Sequence, residues 1–506
     1  MSSGMATGES ERPFLFPPGI CKHTVLNFGP SPNAAQVGYS RRTEEQRVAA
    51  TTRQGIIVNL RGKRKRDGSL NSATPSPSSF PAPLVLPDDD LSLDPSYPPQ
   101  SLRSWVREKE RNKVTPSRNV IYVAAPPDVT SDVEYLGKRS HPKEESRGGR
   151  KVLSRSSHTR RETLAAHTNS DNNDPAAAPI QPPCVEDVKD YLAAFYHNMP
   201  VKLLTPLKLS FTTWDNGKSK SSKAKSKSTF PNFVGLNAFS DCTRIRVRPT
   251  ANKALPCQLN LDDLLDAAII MLPDDAYALL LLVNHDLYED DDDEFVCGRA
   301  YGGSRVAVIS LARYNPELDE RHGVEREHAW PASHCSAYIN SCCAGVPGRL
   351  KNKAKHQTLN VDDPSLLPSP PTTHSPPIPL QAALSAHHSL HPRSPASPTS
   401  LSHLYLSRVC RTASHELGHC FGMDHCVYYA CSMQGSSSLA EDARQPPYLC
   451  PVDLFKVLEA TGADERQRYR EILAFCERRG DGQLFAAFGA WVRGRLVEIE
   501  TANEAR

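Results

Sequence analysis

The stretch His415-Glu416-Leu417-Gly418-His419-Cys420-Phe421-Gly422-Met423-Asp424-His425 constrains this chain more than any other. It reads H-E-x-x-H-x-x-G-x-x-H, a zinc-hydrolase spacing. Residues four apart on a helix share a face, so His415 and His419 present two imidazoles to one ion. Glu416 stands beside the first ligand and slightly off that face, where it can hold a water on the metal without ligating it. Gly422 takes backbone conformations closed to other residues, so the helix can stop there and the chain turn back, bringing His425 round as third ligand. Three protein ligands leave a fourth position for water, which separates a catalytic zinc from a structural one. Zinc lowers the pKa of that water to about 7, and Glu416 can take its proton as it attacks a carbonyl. H-E-x-x-H alone also arises by chance on amphipathic helices with surface or core histidines; the added glycine and third histidine count against that reading.

The residues beyond His425 narrow the pattern. Cys426 directly follows the third histidine, then come Cys431, Met433 and, after a gap, Cys450. H-E-x-x-H-x-x-G-x-x-H-C-x4-C-x-M with a later cysteine resembles the archaemetzincins, a family of metzincin-type zinc metallopeptidases whose members hold a second zinc on four cysteines. The resemblance implies Cys426, Cys431 and Cys450 as three of those ligands, and Met433 as the methionine of the turn beneath the catalytic zinc. The fourth position departs from the family, because Cys450-Pro451-Val452-Asp453 has aspartate where the family has cysteine. A carboxylate can ligate zinc, so Asp453 could complete a Cys3Asp site. The competing reading is an empty site whose cysteines pack as small hydrophobes.

The chain is long enough at 506 residues for two or three domains, but 43 prolines and a hydrophobic share of 39% leave much of it outside a core. The expected organisation is a disordered, basic, Ser/Pro-rich tail over 1–90 and a metallopeptidase domain over 91–506. Disordered insertions are expected at 128–183, 215–230 and 345–400. A formal net charge of +3 over this length gives no argument for nucleic-acid or membrane partners. The N-terminus lacks a basic start and apolar stretch, and the richest apolar run, Ala278 to Val283, is too short to span a bilayer. An intracellular protein, cytoplasmic or nuclear, is expected, with its 14 cysteines free or on metal. Arg61-Gly62-Lys63-Arg64-Lys65-Arg66 reads either as a nuclear import signal or as a solvated charge run.

Helical spacing appears over Val185–Tyr196, Leu259–Met271, Arg468–Arg478 and Leu484–Val497, and the metal helix is expected from Ser402. Strands are expected at Asn119–Ala125, Val201–Leu209, Ile245–Val247 and Val306–Tyr314. Ala278–Val283, apolar throughout, suits a strand buried on both faces. Asp286-Leu287-Tyr288 and the stretches Phe295–Ala300 and Val306–Tyr314, read as the two strands before the metal helix, also resemble the family. His328, His334, Cys335, Cys342 and Cys343 show no C-x-x-C or paired-histidine spacing, so no further metal site is expected among them.

The expected fold is an α/β (α+β) zincin of the metzincin kind: a small mixed sheet with packed helices, the H-E-x-x-H helix, and a short zinc-stabilised C-terminal subdomain. The expected activity is zinc-dependent hydrolysis of a peptide or protein substrate, with Glu416 as general base; the sequence leaves oligomeric state open. The alternative is a non-catalytic zinc protein acting as an interaction scaffold. The retained Glu416 argues against it, and the changed fourth cysteine argues mildly for it.

Overall fold

The computed structural model describes residues 21, 23–56, 75–137, 179–205, 208–214, 231–250, 255, 257–344, 378–390, 396–480 and 482–504. The basic cluster Arg61–Arg66, the insertion at 215–230 and most of those at 128–183 and 345–400 lie outside the described residues.

A five-stranded mixed sheet forms the centre, from β1 (Val120–Ala124), β2 (Val201–Leu203), β3 (Ala276–Val283), β4 (Gly298–Tyr301) and β5 (Val306–Ser310). Its order is β4-β5-β3-β1-β2, with β4 antiparallel to β5 and every other pair parallel. All residues of β3 are buried, which is why its sequence is apolar without alternation. The two faces still separate with period two. Ala278, Leu280 and Leu282 join one core with Val188 and Leu192 of α1 (Val185–Phe195), while Leu279, Leu281 and Val283 join another with Leu261, Leu264 and Leu265 of α2 (Leu261–Ile270). Asn260 starts α2 by accepting a hydrogen bond from the backbone N–H of Asp263.

A second sheet of six strands was not legible in the sequence beyond Ile245–Val247. It runs in the order Asp128–Val129, Ser210–Thr213, Phe233–Ala238, Asp241–Pro249, Cys257–Asn260, Asp286–Tyr288. Several of its strands are short, and Asp241–Pro249 carries charged side chains on its open face, which hides the apolar half. Val201–Leu209, expected as one strand, supplies only β2 before the chain crosses to this second sheet.

Over 23–56 and 75–90, the described parts of the stretch expected as a disordered tail over 1–90, the chain is folded. Pro32–Val37 and Glu44–Ala50 are helices, the second opened by a capping box between Thr43 and Gln46. Ala34, Tyr39, Ala50, Phe80 and Val85 enter the main core. Phe80 meets Tyr448 and Trp491 edge-on at centroid distances of 5.6 and 5.5 Å. These apolar residues are sparse and aperiodic because they fill gaps between distant elements rather than build a stripe of their own. For the same reason α3 (Pro379–Ser389) escapes a composition reading of 345–400: it buries Leu380, Ala383 and Leu384, and its Pro379 sits against Gly494 of the C-terminal helix. The metal helix α4 (Pro398–Cys420) begins at Pro398, capped by Ser397, whose hydroxyl accepts from the Ser400 N–H. Beyond a short helix at Leu439–Arg444 come α5 (Pro451–Thr461), α6 (Glu465–Glu477) and α7 (Gln483–Glu504).

Candidate metal centres and cleft

Helix α4 lays its last turns beneath the edge strand β4 and ends where the motif requires. Gly422 lies in the left-handed region at φ 75°. The Gly422 N–H donates to the His419 carbonyl at 2.9 Å and the Met423 N–H to the Gly418 carbonyl at 3.1 Å, a Schellman stop that reverses the chain toward His425. A Cβ at Gly422 would also press on the Arg111 side chain at 2.8 Å.

The reversal brings His415, His419 and His425 together, their ligating atoms all within 4.8 Å of one another. His415 and His419 face each other through Nε2 at 3.1 Å. Backbone carbonyls hold the opposite ring nitrogens: His415 Nδ1 donates to the Ser432 carbonyl at 2.8 Å, and His419 Nδ1 to that of Met423 at 2.7 Å. Carbonyls accept only, so they fix the tautomer and leave each Nε2 lone pair facing the centre. Burial holds the His415 ring well below the usual histidine range, with its histidine neighbours adding to the effect, and holds His419 at about 4. Three neutral imidazoles converging on one point are the protonation state a divalent ion requires.

Met433 lies fully buried beneath this triad, and a Cβ on Gly418 would collide with its sulfur. Glycine between the two helical histidines is what lets the methionine turn approach the helix so closely. Glu416 points to the cleft side. Burial raises its carboxyl to about 8, opposed by the charge of Arg299. Gly298 of β4 faces it, since a Cβ there would stand 3.4 Å from Glu416 Cγ and 2.9 Å from Ile309.

Two cavities meet at this point. One of about 610 Å³ is bordered by Tyr97, Arg111, Arg299 and Asp424, the other of about 440 Å³ by Phe295, Tyr314, Thr412 and Leu439. His415, Glu416, His425 and Gly298 line both, so one groove runs across the triad with β4 along its rim. The sequence identifies β4 as a strand and no more; its role as a rim depends on lying at the sheet edge, which no local pattern reveals.

The second predicted cluster also assembles. Cys426, Cys431, Cys450 and Asp453 are all buried, with their ligating atoms within 4.8 Å of one another. Cys426 Sγ is 3.5 Å from Cys450 Sγ, while Asp453 Oδ2 is 3.3 Å from Cys431 Sγ and 3.4 Å from Cys450 Sγ. The N–H groups of Met433 and Cys450 point at Cys431 Sγ at 3.4 and 3.1 Å, while burial, with the neighbouring Cys426, raises the Cys431 thiol well above its usual range. Burial raises Cys426, but hydrogen bonds from the Cys431 and Cys450 thiols and from backbone N–H groups outweigh it and hold that thiol well below its usual range. Lys456, which sequence reasoning missed, donates through Nζ to Asp453 Oδ1 at 2.8 Å and to Gln100 Oε1 at 2.8 Å. It follows Asp453 by three residues on α5, a spacing that could have flagged it.

The model of peptidase family M54 matches residues 396–457, the span of α4, the methionine turn and the second cluster. The chain is 26% identical over 220 residues to archaemetzincin-2 of Homo sapiens, covering 44% of this chain and 47% of that protein. It is 27% identical over 218 residues to archaemetzincin-1 of Mus musculus, covering 43% and 34% respectively. The chain thus spans about half the length, or less, of these curated relatives. Among solved structures, archaemetzincin from Methanopyrus kandleri aligns over 68% of this chain and 98% of its own, with 15% identity and a TM-score of 0.27.

Proposed function

We propose that this chain, of the archaemetzincin family, is a zinc-dependent metallopeptidase that hydrolyses peptide bonds at His415, His419 and His425. The observation that carries the proposal is the convergence of three imidazoles, two of them oriented by backbone carbonyls, beside the buried carboxyl of Glu416 on the floor of an open groove. Bound by the three histidines, zinc supplies an open coordination position where water ionises near neutral pH and a carbonyl is polarised.

The chain's own residues do the rest. Among the described residues the edge strand β4 pairs on one side only, with β5, so its other side offers backbone N–H and C=O groups to an extended peptide along the groove. That favours a peptide over other hydrolysable substrates, because only a peptide returns those hydrogen bonds in register. The groove extends to both sides of the triad, so residues on both sides of the bond to be cut find room. Glu416 takes the proton of the attacking water and delivers it to the leaving amine; a carboxyl raised by burial holds that proton long enough to pass it on. Cys426, Cys431, Cys450 and Asp453 would hold a second, structural zinc that ties the methionine turn to α5, with Lys456 offsetting part of the negative charge.

The test is removal and return of metal. Peptide cleavage by the purified chain should vanish on chelation and return with zinc. Cleavage that persists after complete chelation would refute the reading. Against the scaffold alternative stands Glu416 in an open groove, which a purely structural centre has no use for.

A further inference from the structure

A third group of metal-binding side chains assembles outside the cleft. Cys21, His23 and His328 bring one ligating atom each to within 4.8 Å of one another, the same closeness found in the two clusters above. Cys335 adds a second sulfur, 3.4 Å from Cys21 Sγ, against 3.5 Å between Cys426 and Cys450. His23 Nδ1 is hydrogen-bonded to His388 Nε2 at 3.0 Å, so His388 orients the His23 ring from outside the group. Ligands on one tetrahedral zinc, at bond lengths of about 2.0–2.3 Å, are separated by roughly 3.3–3.8 Å, and the Cys21–Cys335 spacing falls in that range.

The surroundings are those of a metal ligand rather than of a stray core histidine. His328 Nδ1 is held by the Glu325 carboxylate at 3.0 Å, which leaves Nε2 as the ring's ligating nitrogen. Tyr338 stacks flat on the same ring at 4.1 Å and fixes its plane. The backbone brings the two halves together: Leu26 bridges to Cys335, the Ser336 N–H donates to the Val25 carbonyl at 2.9 Å, and the Asn27 N–H to the His334 carbonyl at 2.8 Å. His334 itself takes no part, its Nε2 lying 3.1 Å from the Ala82 carbonyl.

We infer that Cys21, His23, His328 and Cys335 form a zinc site that staples the N-terminal segment to the 326–339 region. Two thiolates and two imidazoles are a structural zinc donor set, and soft sulfur selects zinc over calcium or magnesium. The sequence concealed it because its two sulfurs are 314 residues apart, so no spacing rule applies. None of the four lines the cleft, so the ion would be structural.

The test is zinc content of the full chain by mass spectrometry of the metal. His328→Ala and Cys21→Ser should each lose about one zinc per chain relative to the unsubstituted protein. The loss should add to that of His415→Ala, whatever the occupancy of the other centres, while peptide cleavage by folded His328→Ala persists. Unchanged zinc content in both variants would overturn the site. If the variants do not fold, the unsubstituted protein decides. Cys21, partly exposed, should resist alkylation until a chelator strips the ion. Equal labelling with and without chelator, or a Cys21–Cys335 disulfide in protein purified without reductant, would overturn the proposal. Zinc lost on His388→Ala but retained on Cys335→Ser would overturn the assignment of Cys335.

Discussion

Lys456 Nζ donates to one oxygen of Asp453 at 2.8 Å while the other oxygen of that carboxylate faces Cys431 and Cys450. Both side chains are only 1% exposed. The aspartate at the fourth position of the cluster is therefore not isolated: it comes with the buried Lys456 side chain, which a thiolate would not engage in the same way. Asp453→Ala would remove the proposed fourth ligand and strand the ammonium of Lys456, so it should lower stability by about 3–5 kcal/mol. Denaturant titration alongside zinc content checks this. A stability change under about 1 kcal/mol with zinc retained would show that Asp453 is no ligand.

Gly422→Ala should lower stability by about 1–2 kcal/mol, because an alanine is forced into the left-handed region. It should also weaken zinc binding, since the turn that seats His425 must shift away from Arg111. Chemical denaturation and a zinc competition assay measure the two effects separately.

Gly298→Ala tests the rim strand. Its methyl group would stand against Ile309 and Glu416 without touching the histidine triad. Zinc content should be unchanged and turnover should fall at least about tenfold, since small misplacement of a base is costly. Full activity in this variant would show that β4 does not shape the catalytic cleft.

The pH dependence of the metal-free protein is set in part by Glu416. Burial raises its folded carboxyl to about 8 from the usual 4.5, so the folded state binds this proton more tightly than the unfolded state does. The resulting stabilisation is complete below about pH 4.5 and is lost as pH rises toward 8. Metal-free Glu416→Gln should therefore lose less stability than the unsubstituted chain across that window. Thermal melts of both chelated proteins from pH 5 to 8 test it, and parallel curves would contradict it.

Much of the site was legible because its chemistry is local. His415, Glu416, His419, Gly422 and His425 fall within one helix and its stop, where spacing alone fixes geometry. Cys426, Cys431, Met433, Cys450 and Asp453 were readable only through resemblance, and the structure brings the three thiols and the carboxylate together. What stayed hidden is long-range. Phe80 and Tyr39 look like tail residues until Trp491 and Val427 stand beside them. Gly298 reads as an ordinary strand residue until Glu416 faces it. Cys21 and His23 carry no signal at all before His328 and Cys335 arrive from 300 residues away.

The central claim is that Glu416 activates water on a zinc held by His415, His419 and His425. A mixed peptide library, read by mass spectrometry after incubation with the native chain or Glu416→Gln at equal zinc occupancy, tests it most directly. The native chain should cleave at internal bonds, and the variant should lose that cleavage by a factor of about 10² or more. Equal cleavage by both proteins, or none by the fully zinc-loaded native chain, would contradict it.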